Sequence, residues 1–209
     1  TGAQIRMWNS DAGTYTVDST GSLYSQDHTN VDGDLYIWGA YTKTAASDYW
    51  SYATDFDGTD LTGGSERKVD VSFASGASAL ITGGFLDVTG DASASTTVDR
   101  QSAGDYSLTI GGNASTSWSY YELRNVDSDG LTLTGSPTVD TLSYGDIELD
   151  QTGGTAITVG GSVITANPAK TFTQNIFNLG AAASGFNVTA TGTTVSSWRF
   201  TNHSGDLDG

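Results

Sequence analysis

The most constraining feature of this chain is a short block that returns at near-even spacing: an aliphatic residue, one spacer, a second aliphatic residue, then glycine. It occurs as Leu86-Asp87-Val88-Thr89-Gly90, Leu108-Thr109-Ile110-Gly111, Leu131-Thr132-Leu133-Thr134-Gly135 and Ile157-Thr158-Val159-Gly160, with a weaker copy at Val188-Thr189-Ala190-Thr191-Gly192. The first positions of the four strong copies lie 22, 23 and 26 residues apart. Alternation of apolar and polar residues is the signature of a half-buried strand, and glycine supplies the positive φ that a sharp corner needs. A fixed period of this length is the mark of a stacked repeat, each block being one strand of one coil.

The blocks therefore predict an all-β protein built as a right-handed parallel β-helix. The alternative is an antiparallel β-sandwich, which also uses many short strands. A sandwich calls for tight two-residue hairpin turns such as Asn-Gly, and these are lacking. Glycine is abundant at 27 residues and proline scarce at 2, and helical periodicity is interrupted throughout by Gly, Thr or Asp. Residues 1–66 differ from the rest, with Trp8, Trp38, Trp50 and most of the tyrosines. They are read as an aromatic-rich N-terminal cap or flanking β region, and 67–209 as the rungs.

Charge narrows the partners. The chain carries 24 acidic against 8 basic side chains, a net of −16. Nucleic acid is a poor partner for such a surface, because phosphate recognition needs clustered Lys and Arg. No apolar run reaches membrane-spanning length, so no membrane insertion is expected. Cysteine is absent, which excludes disulfides and thiolate metal sites. Strong acidity, little lysine and a chain that opens on Thr1 lead to the expectation of an extracellular or cell-surface protein after signal-peptide removal.

Two stretches carry a resemblance. Leu35-Tyr36-Ile37-Trp38-Gly39, followed by Tyr49-Trp50-Ser51-Tyr52-Ala53-Thr54-Asp55-Phe56-Asp57-Gly58, resembles a recurrent pattern of large Gly/Thr-rich repetitive secreted bacterial surface proteins of the right-handed β-helix type. Trp198-Arg199-Phe200 and Gly205-Asp206-Leu207-Asp208-Gly209 agree with it. The resemblance implies an extracellular β-solenoid and carries no activity over.

Calcium is the cofactor the composition suggests. Asp55, Asp57 and Asp60 alternate around a glycine turn, where carboxylates converge on a hard cation. An EF-hand does not fit, since its sixth position is Asp60 rather than glycine. Asp32-Gly33-Asp34, Asp127-Ser128-Asp129-Gly130 and Asp206-Leu207-Asp208-Gly209 are weaker versions. Trp38, Trp50 and Tyr52 belong to an aromatic cluster that suits either a sugar platform or a cap and subunit contact. Trp118, Tyr120 and Tyr121 form a second cluster. Ile5, Met7 and Trp8, in the segment Ala3–Trp8, are candidates for strand exchange between copies. For catalysis the carboxylates Asp127 and Asp129 with Arg124 are the one combination worth testing, and the histidines stand apart from any nucleophile.

These readings point to a non-enzymatic extracellular structural protein, a self-assembling subunit of a surface filament, sheath or stalk forming a homo-oligomer or homopolymer. A carbohydrate-binding adhesin module is the alternative, with glycans as partners. A polysaccharide lyase or hydrolase is the third.

Overall fold

The structure is a computed structural model. It describes the backbone of residues 14–17, 23–26, 35–37, 40–43, 47–51 and 70, and both backbone and side chains of 71–207 apart from 74, 91, 93, 94, 101, 102 and 193–196.

Every strand pairing among the described residues is parallel. That removes the antiparallel sandwich and establishes an all-β parallel β-solenoid. The first sheet stacks seven strands, β1 (Thr14–Val17), β4 (Ala40–Lys43), β7 (Ser78–Ile81), β10 (Tyr106–Ile110), β12 (Val126–Leu133), β14 (Gly154–Gly160) and β17 (Gly185–Thr191). The second sheet has two arms. One contains β2 (Leu23–Gln26), β5 (Ser47–Ser51) and β8 (Phe85–Thr89), and the other β3 (Leu35–Ile37), β6 (Asp70–Phe73) and β9 (Thr96–Arg100). They join in β11 (Ser115–Arg124), which pairs with β8 along its first half and β9 along its second. The long strand β13 (Thr138–Leu149) follows β11 through the same corner and pairs onward with β16 (Ile176–Leu179). The short pair β15 (Thr171–Thr173) and β18 (Arg199–Thr201) completes the set.

Three of the expected rungs fall into one column with a fourth, weaker copy. Leu108 lies opposite Leu131, Leu131 opposite Ile157, and Ile157 opposite Val188. Leu86 does not join them: it sits in β8 of the second sheet, opposite Thr116, and the member of the column below Leu108 is Ala79. The block marks any strand that runs into a corner, and it does not say which face of the coil that strand belongs to.

Stacking like on like fills the interior. The second arm of the second sheet carries Val71, Val98, Leu123, Ile147 and Phe177 in successive register, all at most 1% exposed. Each large aliphatic side chain buried this way contributes about 1.5–3 kcal/mol against exposure to water. Phe73 stacks on Tyr106 with ring centroids 4.5 Å apart and planes at 5°. Two of the buried polar groups satisfy each other in a chain: Trp118 Nε1 donates to Thr116 Oγ1 at 2.7 Å, and Thr116 Oγ1 donates to the Leu86 carbonyl at 3.0 Å.

One six-residue helix, α1 (Gly161–Ala166), lies among the described residues. It ends at Asn167, whose buried amide donates to the Val163 and Pro137 carbonyls and accepts the Val139 N–H. The boundary expected near residue 67 lies outside the described residues. The N-terminal strands β1, β2 and β3 pair in parallel with β4, β5 and β6, as members of the same two sheets.

Candidate functional site

The corner between the two arms of the second sheet gathers the most chemistry. β11 and β13 pass through it without a glycine at the turning residue: Tyr120 has φ 51° and Tyr144 has φ 58°. The following coils turn on Gln174 (φ 57°) and Asn202 (φ 53°). A bulky side chain in the left-handed region is uncommon, since Cβ crowds the backbone there. The two rings stack outside the coil, centroids 4.5 Å apart and planes at 14°. Tyr144 is 38% exposed.

The inner side of the corner explains its shape. Tyr121 is fully buried, edge-on to Trp118 at 5.1 Å. Its ring lies over Gly145, its register partner in β13. A Cβ built on Gly145 would stand 2.3 Å from Tyr121 Cζ, so only glycine fits beneath the phenol. Burial pushes the Tyr121 hydroxyl far up, and it stays protonated.

Beyond the tyrosines, Glu122 and Arg124 on β11 lie in register with Asp146 and Glu148 on β13. Arg124 reaches Glu122 at 3.3 Å and Asp146 at 3.1 Å, and also pairs with Glu148. Burial works against the guanidinium charge, but Asp146, Glu148 and Glu122 outweigh it and raise its pKa. Asn178 donates to Asp146 at 3.2 Å, and Arg100 pairs with Asp150 at 3.3 Å.

The structure separates the residues grouped for catalysis. Arg124 is engaged by the three carboxylates of the second sheet. Asp127 and Asp129 sit in the irregular stretch of β12 in the first sheet, where register shifts between Gly130 and Leu131. There Asp127 Oδ1 accepts the Asp129 N–H at 3.1 Å. Burial raises the Asp127 pKa, and the charges of Asp129 and Asp105 add to it.

Of the second aromatic cluster, Trp118 and Tyr121 are core and Tyr120 faces the corner. Trp50 lies in β5 with its backbone opposite Val88. Trp38, Tyr52, Ile5, Met7 and Trp8 lie outside the described residues, as do the calcium candidates Asp55, Asp57 and Asp60. Among the described residues, no group of three or more His, Cys, Asp or Glu is arranged to hold a metal ion. Sequence reasoning did not single out Tyr144, Glu122, Asp146 or Glu148. Their signal was the matching pattern Tyr-x-Glu-x-Arg at 120–124 and Tyr-x-Asp-x-Glu at 144–148, one coil apart.

No family model, curated protein or solved structure matches this chain.

Proposed function

We propose that this chain is a non-enzymatic structural protein of the cell surface or extracellular space, a self-assembling subunit of a filament, sheath or stalk. The observation that carries the reading is the unbroken register of interior columns such as Val71, Val98, Leu123, Ile147 and Phe177. Side chains fill the axis of the coil, each coil contacts its neighbours along that axis, and the resulting body is a rod. Rods of this kind serve as spacers and as repeating units.

The strongly acidic surface, the Thr- and Gly-rich composition and the resemblance to repetitive bacterial surface proteins support a location outside the cell, reached by removal of a signal peptide. Calcium as a counter-ion belongs to the same reading. An unchanged melting temperature in excess chelator would remove it.

Electron microscopy of purified protein over a concentration series, with sedimentation alongside, tests assembly. Ordered filaments or discrete oligomers are expected. A monomer at every concentration, with and without calcium, sinks the assembly reading.

A further inference from the structure

The stacked tyrosines do more than turn the chain. The next two coils make the same corner with Gln174 and Asn202, so the turn itself does not require an aromatic residue. Tyr120 and Tyr144 nevertheless hold their rings together on the outside of the coil, with Tyr144 exposed. Exposed rings with hydroxyl tips suit a partner that has apolar faces and a polar rim.

Charge decides which partner. Each tyrosine is followed two residues later by a carboxylate, Glu122 or Asp146, and with Glu148 these surround Arg124. Three carboxylates around one guanidinium leave the patch negative, on a chain of net −16. An anionic polymer is repelled there, whereas ammonium groups are drawn both to the carboxylates and to the tyrosine faces.

Geometry favours a sugar over a peptide. Tyr120 and Tyr144 stand on paired strands about 4.8 Å apart, and the corners of the next two coils carry Gln174 and Asn202, so successive coils present hydroxyl and amide groups to an extended chain of sugars. A peptide adding as a strand needs a free backbone edge; β11 is paired on both sides here, and β13 is paired with β16 from Asp146 onward while its Gly145 N–H is taken by the Asn175 side chain.

We infer that the Tyr120–Tyr144 corner, with Glu122, Asp146 and Glu148, binds a polysaccharide carrying free amino groups. The sugar rings lie along the tyrosine, glutamine and asparagine row, and their ammonium groups meet the carboxylates. This goes beyond the structural role, and its failure leaves the assembly test untouched.

The test is calorimetric titration of the purified chain with a glucosamine oligosaccharide at low and high salt. Its N-acetylated counterpart, an oligogalacturonate and oligolysine serve as comparisons. Tyr144→Asn keeps a residue tolerant of the left-handed corner and Asp146→Asn removes one charge, with Tm recorded for both. Binding of the amino oligosaccharide is expected, weakened about tenfold by Tyr144→Asn and severalfold by Asp146→Asn at preserved Tm, and suppressed by salt. The inference is overturned if the amino oligosaccharide fails to bind, if the acetylated form or oligolysine binds as well or better, or if both folded variants bind like the parent.

Discussion

Asn175 Oδ1 accepts the backbone N–H of Gly145 from the preceding coil at 2.9 Å. The same amide donates to the Leu142 carbonyl at 2.8 Å, and the Tyr121 hydroxyl reaches Oδ1 at 3.4 Å. The ladder between β13 and the coil above is interrupted at this point, because β15 ends at Thr173 and β16 begins at Ile176. One buried side chain thus replaces the missing strand partner for two backbone groups.

Asn175→Ala should therefore cost about 2–4 kcal/mol, the sum of two backbone groups left buried without partners. Asn175→Leu should not recover it, since added apolar volume supplies neither donor nor acceptor. Urea unfolding measures both; a loss below about 0.5 kcal/mol would show that water or a shifted backbone takes over the bonds.

Gly145→Ala should destabilise by several kcal/mol, because the Tyr121 ring that its Cβ would strike is fully buried and has nowhere to move. In a Tyr121→Leu background the same substitution should cost clearly less. A double-mutant cycle with no coupling between the two positions would place the strain elsewhere.

Arg124→Met leaves Glu122, Asp146 and Glu148 facing one another without their shared cation. The groups are partly solvent-exposed, so the expected loss at pH 7 is about 1 kcal/mol, larger at low salt. Salt screens the carboxylates, and the gap in Tm between variant and parent should narrow as ionic strength rises. A gap independent of salt would mean that the arginine stem, not its charge, is what counts.

Asp127 has a raised pKa in the folded chain, so between that value and the ordinary 3.8 the native state binds more protons than the unfolded one. Its penalty is complete at neutral pH and fades as pH falls through that window. Asp127→Asn keeps an oxygen for the Asp129 N–H and removes the charge. It should raise Tm at pH 7 by a few degrees at most, with the advantage vanishing at low pH; a lowered Tm at pH 7 would contradict this.

The parts of the fold that follow from local chemistry were legible. Leu108, Leu131 and Ile157 announce their column because each is followed by a spacer, a second inward aliphatic residue and a corner. Leu86 carries the same local mark in another face, since the corner rule is shared by every strand and face assignment depends on coil lengths that vary. The turning residues were not legible, because Tyr120 and Tyr144 occupy a conformation that glycine or asparagine would announce. The burial of Asn175 and Asn167 has no local mark; it arises only when one coil covers the last. The candidate site suffered for the same reason, as Arg124 stands near Asp127 along the chain while two of its three charge partners, Asp146 and Glu148, come from the next coil.

The column that runs from Val71 and Val98 through Leu123 and Ile147 to Phe177 widens along the axis. The coils repeat in backbone path but not in side-chain volume, so they are not interchangeable parts. A duplicated or transplanted coil would find a neighbour of the wrong size above or below it, leaving a void at one junction and a clash at the other. Lengthening this molecule is thus a matter of graded fit between successive layers, and the order of the coils is itself information written in the size of their inward residues.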